Sequence, residues 1–135
     1  MNPISDYINN DFKAIESLET IATVQDFFAE INFSHFPIME ENVYVGCIGA
    51  DDLDNFDTDK KVANYRYALE GFFARTNMTW IAVMEVFARN HTNLVPVLDE
   101  ENRYVGYYEL SDIINFFTET PFLKELGNII IVEKS

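Results

Sequence analysis

Asn93-Leu94-Val95-Pro96-Val97-Leu98, an acidic turn Asp99-Glu100-Glu101-Asn102, and Arg103-Tyr104-Val105-Gly106-Tyr107-Tyr108-Glu109-Leu110-Ser111-Asp112-Ile113 form the stretch that decides the fold. Two short apolar runs flanking a turn of Asp, Glu and Asn predict a β-hairpin. The acidic residues after the second run suit the start of a helix, where the macrodipole favours negative charge. One such unit carries little information, but the chain holds a second. Ser34-His35-Phe36-Pro37-Ile38-Met39 is followed by Glu40-Glu41-Asn42 and then by Val43-Tyr44-Val45-Gly46-Cys47-Ile48-Gly49-Ala50-Asp51-Asp52-Leu53. Pro37 and Pro96 stand 59 residues apart, whereas Gly46 and Gly106, like Asp52 and Asp112, stand 60 apart. The single-residue difference falls in the acidic turn, where a length change leaves the faces of both strands unaltered.

Upstream of each hairpin lies a helical pattern. Val24, Phe27, Phe28 and Ile31 in the first copy, and Val83, Val86 and Phe87 in the second, recur at helical spacing, with Thr23 and Thr79 as N-caps. Each copy therefore reads helix, strand, turn, strand, helix. The expected class is α+β, two pseudo-symmetric αββα repeats packed sheet to sheet. Residues 1–19 are expected to hold a lead-in helix, with Tyr7, Ile8, Phe12, Ile15 and Leu18 along one side. The first repeat is placed at residues 20–56, a linker and connecting helix at 57–75, the second repeat at 76–118, and a strand-like tail containing Ile129, Ile130, Ile131 and Val132 at 119–135.

Composition narrows the partners. Nine Lys and Arg stand against 23 Asp and Glu, a formal charge of −14 that repels both phosphate backbones and anionic headgroups. Nucleic acid and membrane surfaces are thus excluded as expected partners. Hydrophobic residues make up 48% of the chain, which is enough for a core and argues against disorder. The lone Cys47 forms no intrachain disulfide and fits a reducing compartment, so a cytoplasmic location is expected. Neither an export signal nor an apolar stretch of membrane-spanning length is apparent.

With helix, apolar-Pro-apolar, acidic turn and Val-Gly-x-x-x-x-x-Asp occurring twice, the chain resembles a tandem pair of cystathionine-beta-synthase (CBS) domains. The resemblance covers residues 20–56 and 76–118. It implies a disc of two repeats that commonly dimerises, and clefts that bind adenosine, AMP, ATP or S-adenosylmethionine. On this resemblance Asp52 and Asp112 would accept hydrogen bonds from ribose hydroxyls. Ser111, His91, Phe36, Pro37, Val95 and Pro96 would line the ligand clefts. The family signature Gly-h-h-Thr/Ser-x-x-Asp is incomplete, however. Its hydroxyl position holds Gly49 in the first copy and Glu109 in the second. A carboxylate at Glu109 repels phosphate, and His91 is the one residue near the family's basic positions that can carry positive charge.

Other motifs have simpler readings. Asp52 and Asp112 suit helix starts with or without a ligand, and His35 reads as a hydrogen-bonded structural histidine. Cys47 reads as a small buried hydrophobe. The acidic run from Asp51 to Asp59 lacks the Gly and terminal Glu of a calcium loop, and no metal site is expected. No nucleophile elbow, phosphate loop or zinc helix is present, so the expected role is regulatory and not catalytic. Two functions remain, a sensor of an adenosine-type molecule and a ligand-free platform for dimerisation or protein interaction.

Overall fold

Thr20 and Thr79 open equivalent helices. In the computed structural model, which describes residues 3–119, the Thr20 hydroxyl accepts from the Thr23 N–H at 3.2 Å and the Thr79 hydroxyl from the Ala82 N–H at 3.2 Å. The N-cap of the first helix is therefore Thr20, not Thr23, which restores the 59-residue spacing at the caps. Helix α1 (Ile21–Glu30) buries Ile21 and Val24, and α2 (Trp80–Asn90) buries Val83 and Phe87.

Each helix is preceded by a strand too short to be visible in sequence. Strands β1 (Ile15–Glu16), β2 (His35–Glu40) and β3 (Val43–Gly49) form one sheet in that order. Strands β4 (Ala74–Arg75), β5 (Leu94–Leu98) and β6 (Tyr104–Glu109) form the other. The outer pair is parallel and the hairpin antiparallel in both sheets, with a bulge at Ile38/Met39 in one and Val97/Leu98 in the other. Glu41 and Asn42, both with positive φ, make the two-residue turn of the first hairpin. In the second, Asp99 organises a longer turn by accepting from the Glu101 and Arg103 N–H groups at 2.9 and 3.0 Å. The one-residue difference between copies thus lies in the turn, as the sequence predicts.

The closing helices differ. The second repeat ends in α3 (Leu110–Glu119), whereas its counterpart is a 3₁₀ turn, Ala50–Asn55. Two expected helices are absent. The amphipathic lead-in helix over residues 5–18 is replaced by a 3₁₀ turn, Ile4–Tyr7, an extended strap and β1. The connecting helix over residues 62–73 is a kinked 3₁₀ segment, Val62–Ala68, followed by a second strap. The apolar residues in both stretches are spent on two different cores. Ile4, Tyr7 and Ile8 pack on the second repeat and Ile15 on the first, while Leu69 packs on the first and Phe72 on the second. A single helix face cannot serve two cores at once. The predicted C-terminal strand lies outside the described residues.

Packing between the copies is marked by a reciprocal pair. Ser34 N–H donates to Asn93 Oδ1 at 2.8 Å and Asn93 N–H to Ser34 Oγ at 3.1 Å. The same two residues offer their carbonyls to the Ala50 and Leu110 N–H groups, at 2.9 and 3.0 Å. This places β2 and β5 about a pseudo-twofold axis and fixes where each closing helical segment begins.

Burial raises several phenols, giving an alkaline limit to stability. Tyr108 is fully buried and its phenol is pushed up to about 12 by that burial. Tyr107 is likewise raised to about 12, first by burial and then by Asp11, Glu109 and Asp112. A phenol near pKa 10 when unfolded and higher when folded contributes stability that is complete below about pH 10 and lost as pH rises toward 12. Absorbance at 295 nm and near-UV circular dichroism, followed together, should show part of the ionisation of the seven tyrosines coinciding with unfolding. Ionisation of all of them near pH 10 in a chain that keeps its near-UV signal would contradict this burial.

Candidate functional site

Both clefts are built from a strap of one repeat laid against the last strand of the other. Cys47 donates its N–H to the Glu70 carbonyl at 2.6 Å and accepts from the Glu70 N–H at 2.9 Å. Tyr107 and Asn9 exchange the equivalent pair, both at 2.8 Å. Because Cys47 and Tyr107 spend these groups on a strap, Pro37 and Pro96 opposite them cost the hairpin no ladder bond. Close approach of the strap requires glycine beside it, and Gly46 and Gly106 have φ of +137° and +154°.

Around Asp112 the cleft is filled by the chain itself. Asn9 Nδ2 donates to Asp112 Oδ2 at 2.7 Å, and the Phe12 ring stacks on Tyr107 at 4.5 Å between centroids. Phe33 meets the same Tyr107 ring edge-on at 5.7 Å. Glu109, at the hydroxyl position of the signature, is half-buried at the end of β6. Ser111 is exposed on the first turn of α3.

Around Asp52 the arrangement differs. The Asp52 carboxylate makes no hydrogen bond among the described residues, and it faces a floor without a side chain at Gly49. A methyl group added there would meet Glu70 Oε2 at 3.3 Å, His35 Nε2 at 3.4 Å and Asp52 Oδ2 at 3.5 Å. His35 is buried, with Nε2 at 2.8 Å from Glu70 Oε2 and Nδ1 at 2.8 Å from Ser34 Oγ. Its ring meets Phe72 edge-on at 5.2 Å, and Phe72 also lines a cleft of about 550 Å³ between the second strap and α2. Gly71, Phe73, Met78, Val86, Arg89 and Asn90 contribute further to that wall.

The remaining sequence candidates differ in exposure. Phe36, Pro37, Val95 and Pro96 are buried inside the sheets. His91 is the exposed C-cap of α2, in the left-handed conformation with φ of 49°. Cys47 is fully buried, and that burial raises its thiol to about 12, far from the thiolate a nucleophile needs. No group of three or more His, Cys, Asp or Glu residues among the described ones is arranged to hold a metal. Asn9, Phe12 and Glu70 were missed in sequence because they lie in the straps, outside both repeat copies. Only the near-constant offset between Asn9 and Glu70, 61 residues, hints at their equivalence.

Two three-stranded sheets about a pseudo-twofold axis, each leading through a strap-covered glycine into an acidic helix start, have the architecture of a CBS domain pair. Residues 72–119 match the CBS domain family model, and the chain as a whole has the fold of tandem CBS pairs. A CBS domain pair/ACT domain protein from Thermotoga maritima superposes with a TM-score of 0.77 at 21% identity, covering 87% of this chain and 98% of that one. CBSX2, solved in complex with AMP, superposes with a TM-score of 0.71 at 11% identity, covering 88% and 98%. In sequence, the chain is 26% identical over 133 residues to an uncharacterized protein of Methanocaldococcus jannaschii. That alignment takes in 98% of this chain and 50% of the relative, so the chain spans about half the length of the curated relative it matches. No helix among the described residues is long and apolar enough to cross a membrane.

Proposed function

We propose that this chain is a non-catalytic, cytoplasmic sensor module that takes an adenosine-type molecule into the cleft at Asp52. One observation carries the choice of cleft, the contrast between the two aspartates. Asp112 is already bonded by Asn9, whereas the Asp52 carboxylate stands free over the side-chain-free floor at Gly49, beside the His35 ring that meets Phe72. The AMP bound by CBSX2, a protein of the same fold, supports the ligand class. Occupancy would be passed on through a second copy. Ile81 on α2 and Ile114 on α3 are 51% and 49% exposed, and Trp80 and Phe117 join the two helices edge-on at 4.4 Å. A homodimer would cover this apolar helical face.

A second reading is favoured by the missing hydroxyls at Gly49 and Glu109 and by the occupied Asp112. In it the pair has lost its ligand and serves as a dimerisation or protein-interaction platform. Thermal-shift measurements with adenosine, AMP, ATP and S-adenosylmethionine, with and without magnesium, separate the two, because a ligand of the folded state raises the midpoint by mass action. The expected result is a shift with at least one of them, weakened about tenfold or more in affinity by Asp52→Ala and little changed by Asp112→Ala. No shift at millimolar concentration for any compound would leave the platform reading in its place.

A further inference from the structure

We infer that the cleft at Asp52 prefers nucleosides whose 5′ substituent is uncharged or cationic over nucleoside mono-, di- and triphosphates, and that Glu70 sets this preference; the inference rests on the functional reading above. A ribose whose hydroxyls donate to Asp52 has its remaining substituents within a few ångström of Gly49. The floor there offers no hydroxyl, and the groups facing it are the Asp52 carboxylate, the Glu70 carboxylate and the His35 imidazole. Ser34 Oγ and Glu70 Oε2 occupy the two ring nitrogens of His35, each at 2.8 Å. If Ser34 donates to Nδ1, His35 is neutral and donates from Nε2 to Glu70. If the ring is protonated, it carries one positive charge. Either way two carboxylates face at most one cation, and the local charge is negative.

Arg89, the one cation among the described residues that line the neighbouring cleft, does not reverse this balance. Arg89 is paired with Glu85 at 3.6 Å, and both side chains are largely exposed, so water screens what field the guanidinium contributes. Glu70 enters because the strap that binds Cys47 through its backbone aims its side chain at His35. The equivalent residue of the first strap, Asn9, is an amide and donates to Asp112. The same strap position therefore presents an acceptor in one cleft and a donor in the other. A polyphosphate placed over Gly49 would approach the Glu70 carboxylate at short range in a partly buried site, where like charges repel most strongly.

Isothermal titration of the full chain with adenosine, S-adenosylmethionine, AMP and ATP tests this. The expected order has adenosine and S-adenosylmethionine binding about tenfold or more tighter than ATP. Glu70→Gln, which keeps the shape of the side chain and removes its charge, is expected to improve AMP relative to adenosine about tenfold. AMP or ATP binding more tightly than adenosine to the wild-type chain, or a ratio unchanged by Glu70→Gln, would overturn the inference while leaving the adenosine-sensor reading standing. Binding of none of the four would remove both. Should Glu70→Gln melt far below the wild type, the wild-type ranking alone decides.

Discussion

Gly106→Val is expected to destabilise the chain by about 3 kcal/mol or more, lowering the melting midpoint by roughly 10 °C or more. A Cβ at this position would overlap the carbonyl oxygen of Asn9 and come within 2.6 Å of Ile8 Cγ2. Backbone strain adds to the overlap, because φ of +154° is a conformation that side chains with a branched Cβ rarely adopt. The clash cannot be relieved by turning a side chain. The strap would have to leave β6, giving up both Asn9–Tyr107 backbone bonds, the Asn9–Asp112 bond and the burial of Ile4 on the second core. Gly46→Ala should cost less, since its nearest neighbour is Leu69 Cβ at 2.8 Å and the Glu70 carbonyl stands back at 3.3 Å. Gly49→Ala should cost under about 1 kcal/mol, because its neighbours at 3.3 to 3.5 Å are side-chain ends and its φ of −90° suits any residue. Thermal melts of the three variants give the order directly. A Gly106→Val chain that melts with the wild type would remove the strap from its place.

Phe36→Ala should cost about 3–5 kcal/mol, a large part of the stability of a domain this size. Its ring is fully buried and lies at the centre of an aromatic cluster, with Phe28 at 4.6 Å, Phe12 at 5.5 Å, Phe27 at 6.0 Å and Phe33 at 6.1 Å between centroids. These rings come from the first strap, from α1, from the segment after it and from β2. Removing the one they share opens a cavity that none of these elements can collapse alone. The loss is read as a shift of the urea midpoint at unchanged slope. A change within about 0.5 kcal/mol would contradict the place of Phe36 at the centre of this cluster. Phe12 ties this cluster to Tyr107, so the same substitution should loosen the first strap where it covers the Asp112 cleft.

Part of the candidate site is legible in the sequence. Asp52 and Asp112 are candidates through the family resemblance, and the structure sets each in the first turn of a helical segment after a glycine-bearing strand. The absence of a hydroxyl at Gly49 and Glu109 is read from the same resemblance. His35 was read correctly as hydrogen-bonded, but its partner was not legible, because Glu70 is 35 residues away and reaches it across a strap. Asn9 and Phe12 were hidden for a related reason. Their apolar neighbours recur at helical spacing, and the pattern of residues 5–18 suggests one buried face. In the folded chain Ile8 and Phe12 turn toward different repeats, a division that local periodicity does not encode.

The sequence alone determined that there are two copies of one unit and where each hairpin turns. Those features rest on local rules: alternation in short strands, caps, turn residues, and a repeat whose length changes only where a loop can absorb it. Tertiary structure alone decided which strap residue meets each aspartate. Asn9 donates to one aspartate while Glu70 turns to His35 beside the other, and this difference depends on which strap lies across which strand. A strap carries no periodic signal of its own. Its path is set by the two cores it must bridge, and those cores exist only once both repeats have folded together.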